Sequence, residues 1–219
     1  MSKSVSIIEF PGTHGISRAK DIFSKLNYNI QVIWHGEEDL KNPDLVFLPG
    51  GASFADYLRP GALAIASPIC GSLRRFAKDG GRIIGIANGF QILCELKILS
   101  GVLLENKSCK FIKHDVHLAV EETECVFLKN IETEKLIKTE LVGRNCRFFL
   151  GSRALKDVEE NNRVVFRYVD EYGDEDEKSK LHSSVNSIAG ICNKEGNVLG
   201  VMPYIDRVEQ ITQVLNILS

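Results

Sequence analysis

Gly85-Ile86-Ala87-Asn88-Gly89-Phe90-Gln91 is the stretch whose residue types and spacing come nearest to a reactive centre. A G-x-Nuc-x-G pattern where a strand turns directly into a helix makes a tight, strained turn. That turn lifts the middle side chain clear at the helix N-terminus. The helix end then offers N–H groups and a positive dipole to a developing oxyanion. The chemistry such a turn serves is nucleophilic attack on an acyl carbon. Here the middle position is Ala87. Alanine carries neither thiol nor hydroxyl, so the turn holds nothing that can attack.

Two further stretches bear on the same chemistry. Leu48-Pro49-Gly50-Gly51-Ala52-Ser53-Phe54 follows an apolar run, and its glycines can bring backbone N–H groups up to an oxyanion. Taken alone it is a weak motif that reads first as a plain strand-to-loop turn. The other, Val201-Met202-Pro203-Tyr204-Ile205-Asp206-Arg207, precedes the last helical stretch.

The elements that must position these residues alternate. Ser4 to Glu9, Asn29 to Trp34, Leu45 to Leu48 and Arg82 to Ile86 read as short apolar strands. Ile16 to Leu26, Gly61 to Lys78 and Asn88 to Leu96 have helical spacing. Strands alternating with helices predict a parallel sheet covered on both faces. After residue 110 the pattern changes. Lys110 to Glu121 alternates, and Arg163 to Val169, Ser187 to Asn193 and Asn197 to Met202 also read as strands. Lys194-Glu195-Gly196-Asn197 is a hairpin turn signal. Asp206 to Leu218 reads as a closing helix. The expectation is an α/β fold: a mostly parallel central sheet with helices on both faces and an antiparallel extension. Without a repeat or a Pro- or Ser-rich linker, residues 1–219 read as one domain.

Composition narrows the function classes. The 219 residues are 44% hydrophobic and 26% charged, enough to bury a core. Twenty-seven basic and 29 acidic residues nearly cancel, which gives no electrostatic case for nucleic acid or a membrane surface. No apolar run approaches the ~20 residues that span a bilayer, and the N-terminal stretch turns too early for a signal peptide. Six cysteines without paired spacing read as reduced thiols of a cytoplasmic protein. Asp170 to Glu177 holds six acids in eight residues and reads as a solvated loop rather than a metal site. His114 and His117 lie three apart on a strand and so face opposite sides, a poor metal pair. No metal is expected.

The three motifs at these positions resemble the class I (triad) glutamine amidotransferases. The nearest resemblance is to the glutaminase subunit of phosphoribosylformylglycinamidine synthase. It runs nearly end to end, through Phe10-Pro11-Gly12-Thr13, Val32-Ile33-Trp34-His35, Gly50 to Arg59, Asn88 to Leu93, Ile188-Ala189-Gly190 and Gly196 to Pro203. The Asp56-Tyr57-Leu58-Arg59 and Asn88-Gly89-Phe90-Gln91-Ile92-Leu93 pieces are characteristic of that subunit. The resemblance implies the flavodoxin-like fold of that family. It also implies a cysteine nucleophile, a histidine base and an orienting glutamate, roles that fall on Ala87, Tyr204 and Asp206. Only Asp206 keeps any of the chemistry, one methylene short. An oxyanion and substrate pocket is implied at Gly50, Gly51, Ala52, Asn88, Gln91, Asn106 and Phe111.

The family's histidine- and glycine-rich loop is replaced at 142–148, and its asparagine-rich loop at 180–184. Deliberate removal of a cysteine would leave the histidine in place. Changes at 204 and in both loops therefore favour natural decay of the site. Cys94, Cys109 and Cys146 are the candidate substitute thiols, and none stands at the turn.

The family turns formylglycinamide ribonucleotide, glutamine and ATP into formylglycinamidine ribonucleotide. ATP and magnesium belong to the large synthetase partner, and a small bridging subunit completes the complex. No cofactor is expected on this chain, which lacks a G-x-x-x-x-G-K-[ST] phosphate loop. The expected function is a subunit-like protein that has lost its own glutaminase chemistry and docks on the synthetase. The alternatives are a glutamine-like small-molecule binding module and a glutaminase with a displaced mechanism.

Overall fold

The structure is a computed structural model that describes residues 3–128, 136–174 and 183–205. Its first half alternates as the sequence predicts: β1 (Ser4–Glu9), α1 (Ile16–Lys25), β2 (Asn29–Trp34), β3 (Leu45–Leu48), α2 (Ile69–Lys78), β4 (Arg82–Ile86) and α3 (Asn88–Glu95). The helix expected from Gly61 starts later than predicted. Ala64–Ala66 forms only a 3-10 turn, and Ser67 is extended at φ −72° and ψ 140°. Ser67 precedes Pro68, and the residue before a proline is pushed out of the helical region. α2 therefore begins at Ile69.

The second half contains β5 (Val102–Leu104), β6 (Ile112–Val120), β7 (Leu136–Gly143), β8 (Arg147–Phe149), α4 (Ser152–Glu160), β9 (Val164–Val169), β10 (Ile188–Cys192) and β11 (Val198–Val201). Four of these, β5, β7, β8 and α4, were not anticipated. In β7 the inward positions are Ile137, Thr139 and Leu141, so a polar residue interrupts the apolar period. α4 carries Ala154, Leu155 and Val158 at helical spacing, but over only nine residues, and Val158 alone is fully buried. The closing helix expected over Asp206 to Leu218 lies outside the described residues, as does most of the acidic run after Asp174.

One nine-stranded sheet organises the molecule, in the order β2-β1-β3-β4-β11-β10-β9-β6-β7. From β2 to β11 every pairing is parallel; from β11 to β7 every pairing is antiparallel. β5 and β8 form a separate small ribbon. The core is a single apolar cluster in which Phe23, Phe47, Phe90, Phe148 and Phe166 are fully buried.

What positions the site is the adjacency of three strands. β3, β4 and β11 are neighbours and run parallel, with Leu48 paired to Gly85 and Val201 to Ile86. The three motifs singled out in the sequence therefore leave the sheet side by side, at the carboxyl ends of adjacent strands. Open α/β sheets characteristically bind ligands there.

Candidate functional site

Ala87 is the hinge of the strand-to-helix turn. Its backbone stands at φ 50° and ψ −108°, far from the regions that side-chain-bearing residues favour. Surrounding bonds hold it there. The Ala87 N–H donates to the Val201 carbonyl at 2.9 Å, and its carbonyl accepts the Gln91 N–H at 3.1 Å. The two glycines make this possible by close approach. A Cβ on Gly85 would lie 2.8 Å from the Gly89 carbonyl carbon, and one on Gly89 would collide with the Leu48 carbonyl oxygen. The strained turn expected from the sequence is present, and the methyl of Ala87 is buried.

Asn88 and Gln91, expected as pocket groups, are engaged with their neighbours. Asn88 Oδ1 accepts the Ser53 N–H at 3.0 Å, and its Nδ2 donates to Gln91 Oε1 at 2.8 Å and Asp56 Oδ1 at 3.3 Å. Gln91 Nε2 donates to the Asn145 carbonyl at 3.0 Å. These amides tie the start of α3 to the loops at 52–56 and 143–146.

The Gly50-Gly51-Ala52 segment divides. The Ala52 N–H donates to the Gly12 carbonyl at 2.9 Å, so it is not an open donor for an oxyanion. The Gly50 carbonyl accepts the His14 and Gly15 N–H groups, both at 3.1 Å. Among the described residues, the N–H groups of Gly50 and Gly51 make no hydrogen bond. They remain the donors this segment can offer.

Tyr204 stands against this segment. A Cβ placed on Gly50 would lie 2.5 Å from Tyr204 Cε1 and 2.8 Å from its hydroxyl oxygen, so the ring lies directly on the glycine. The Tyr204 backbone is fixed to β7, its N–H donating to the Glu140 carbonyl at 2.9 Å. Its carbonyl accepts the Thr139 hydroxyl at 2.7 Å. The ring thus takes up space beside Gly50. Asp206 lies outside the described residues.

Asn106 is a structural tie rather than an open ligand. Its Nδ2 donates to the carbonyls of Lys110 (2.9 Å) and Gly143 (3.0 Å), and its Oδ1 accepts the Cys146 N–H at 3.0 Å. Phe111 is 66% exposed.

The substitute thiols fare no better as nucleophiles. Burial pushes the Cys146 thiol up to about 12 and raises Cys94 further. Cys109 is exposed at a left-handed position. His35 is held by the Ser67 hydroxyl at 2.9 Å and stacked on Phe10, and desolvation lowers its pKa. Among the described residues no group of three or more metal-ligating side chains comes together, and no helix is long and apolar enough to cross a membrane.

Residues 53–59 form a feature the sequence reading left without a role. Phe54, Ala55, Asp56 and Leu58 all adopt left-handed φ angles, between 51° and 69°. The loop is clipped to α3 at both ends: Asp56 accepts from Asn88, and Arg59 makes a two-pronged pair with Glu95, both bonds at 2.7 Å. Burial pushes the Asp56 carboxyl up to about 6, with nearby His14 acting in the opposite sense. The Asp-Tyr-Leu-Arg motif marked the loop; its backbone strain had no sequence signal.

Comparison with known proteins agrees with this geometry. Residues 3–217 match the model of the CobB/CobQ-like glutamine amidotransferase domain. The phosphoribosylformylglycinamidine synthase subunit PurQ of Sulfurimonas denitrificans is 36% identical over 204 residues, which cover 93% of this chain and 90% of the relative. Its counterpart from Aquifex aeolicus is 40% identical, covering 87% and 83%. A chain in the structure of PurLQS from Thermotoga maritima superposes with a TM-score of 0.85 at 30% identity, over the full length of both. The chain belongs to the CobB/CobQ-like glutamine amidotransferase family, in its PurQ branch.

Proposed function

We propose that this chain is a PurQ-like subunit of phosphoribosylformylglycinamidine synthase in purine biosynthesis whose own glutaminase chemistry has lapsed. The observation that carries this reading is the methyl group of Ala87 at the strained turn, where the chemistry needs an attacking atom. Glutamine hydrolysis by this family proceeds through attack on the side-chain amide, a proton passed to departing ammonia, and water attack on the acyl-enzyme. The Gly50 and Gly51 N–H groups and the start of α3 can still stabilise an oxyanion. Nothing at residue 87 can generate one. Tyr204 on Gly50 supports the same reading, because it both removes the base and crowds the neighbouring space.

The role left is docking on the large synthetase, with a small bridging subunit, in the cytoplasm. ATP and magnesium would be held by the synthetase, which could use free ammonia. The end-to-end match to a chain of a PurLQS structure supports this partner set.

The test is ammonia release from glutamine in the presence of purified synthetase and bridging subunits, together with sedimentation of the mixture. A co-sedimenting complex with background release is expected. Loss of a triad nucleophile costs on the order of 10⁶ in turnover in a hydrolase studied this way. Release near ~1 s⁻¹, an ordinary enzyme rate, would sink the loss of activity, and failure to co-sediment would sink the docking role. Ala87→Cys alone should stay silent, because no base protonates the leaving ammonia. Turnover should appear only with Tyr204→His, and further with Asp206→Glu. Full activity in the single variant would point to a hidden base.

A further inference from the structure

Two of the six cysteines meet in the core, away from Ala87. Cys192 is the last residue of β10, and Cys125 lies in the segment after β6. Both are fully buried. Thr123 joins them from one side. Its Oγ1 lies 3.8 Å from Cys192 Sγ and accepts the Cys125 N–H at 3.2 Å. The same hydroxyl donates to the Asn162 carbonyl at 2.8 Å, which fixes its position. The backbone on both sides is anchored too: the Cys192 N–H donates to Arg163 and the Val126 N–H to Gly196, each at 2.9 Å.

We infer that Cys125 and Cys192 are a reversible disulfide site, reduced at rest and closed by a peroxide or a small-molecule disulfide. The Thr123 hydroxyl meets both the Cys192 sulfur and the Cys125 backbone, so closure to the ~2.05 Å bond would join two anchored segments that already lie side by side. With hydrogen peroxide, the Cys192 thiolate attacks one peroxide oxygen, giving a sulfenic acid and hydroxide, which takes up the thiol proton as water. The Cys125 sulfur then attacks the sulfenic sulfur, its proton leaving with the hydroxyl as a second water. Two thiols and one peroxide become one disulfide and two waters.

The surroundings of Cys192 favour its thiolate. Its pKa is lowered, first by the hydrogen bond with Cys125, with help from the Thr123 hydroxyl and the Arg163 charge. The other buried thiols differ. Cys70 is pushed up to about 11 and donates to the Ala64 carbonyl; Cys94 is raised further by burial and donates to the Ser100 carbonyl. Cys192 pairs with Leu199 near the start of β11, whereas Tyr204 follows its end, so the disulfide would not touch the candidate site. The inference therefore stands apart from the proposed function.

The test uses the full chain with Cys109→Ser, which removes the exposed thiol. The protein is treated with hydrogen peroxide or glutathione disulfide, quenched, unfolded and titrated with a thiol reagent. Five thiols should fall to three, and non-reducing peptide mapping should recover one linked pair, Cys125 with Cys192. Thermal unfolding should move to higher temperature and return after dithiothreitol, because a cross-link of distant chain segments restricts the unfolded state. Cys125→Ala and Cys192→Ala, made separately, should each abolish the linked peptide and the thermal shift. Five titratable thiols after oxidation, or a link between other cysteines, would overturn the inference. Peptide mapping of the unaltered pair decides it even where an alanine variant folds poorly.

Discussion

On one wall of the site, Gly85, Ala87 and Gly89 hold a backbone turn that tolerates almost no other packing; on the opposite wall, Tyr204 lies on Gly50 where the family places a catalytic base. The first wall keeps its geometry although the reactive atom is absent. The second is filled by a bulky side chain lying on Gly50. The difference lies in what each wall is built from. The turn joins β4 to α3, and its glycines let α3 pack on the ends of both β3 and β4. Relaxing it would break the fold. Tyr204 is a side chain on a segment fixed by backbone bonds to Glu140 and by Thr139, so its identity is free to change while its position is not. Strain here is a requirement of packing, set by the close approach of Gly85 and Gly89 to their neighbours.

The harshest way to break this comparison is Gly89→Ala. The new methyl would collide with the Leu48 carbonyl oxygen, and a carbonyl inside a parallel ladder cannot step aside. Overpacking a rigid site costs typically 1–3 kcal/mol and sometimes more, and the upper end, roughly 3 kcal/mol, is expected here. Urea unfolding measures it. A loss below ~1 kcal/mol would show that α3 can slide and that the turn is not held by packing.

A sharper probe pairs the two walls. Gly50→Ala should destabilise by about 1–3 kcal/mol, because the methyl meets the Tyr204 ring, 2.5 Å from Cε1. That neighbour is a side chain, so Tyr204→Ala should relieve most of the clash. The double-mutant cycle should give a coupling between roughly 0.5 and 3 kcal/mol. Additive losses would mean that the ring does not rest on Gly50.

The same division explains how much could be read from sequence. Glycine spacing at 85 and 89 and the apolar runs before Gly50 and Ala87 reported the backbone, so the parallel half of the sheet and the strained turn were legible. The destinations of polar side chains were not. Asn88, Gln91 and Asn106 have the chemistry of ligand-binding groups, yet each spends its amide on nearby backbone or side chains. Only the fold brings Asn106 to Gly143 and Cys146. Ala52 was misplaced for a related reason: its N–H turns back to Gly12 through the bridge between Thr13 and Gly51. The missed β7 has an apolar period interrupted by Thr139, whereas the Ala154, Leu155 and Val158 stripe of the short α4 was there to be read.

The smallest expected effect concerns Asp56, which links the strained 53–59 loop to the intact wall through Asn88. Burial pushes this carboxyl from its ordinary 3.8 up to about 6. A group that holds its proton more tightly when folded favours folding while protonated. Stability is therefore lost as pH rises from about 4 to about 6, and the full penalty remains above that. Solvent reaches the half-buried carboxyl and screens it, so about 1 kcal/mol is expected rather than the value of an unscreened shift. Asp56→Asn removes the charge and keeps an oxygen to accept from Asn88 Nδ2. The variant should match the parent near pH 4 and exceed it by about 1 kcal/mol at pH 7, measured by urea unfolding across that range. Parallel curves would mean that Asp56 ionises as freely in the folded loop as in the unfolded chain. The loop would then owe its position to Arg59 and Glu95 rather than to the wall it touches.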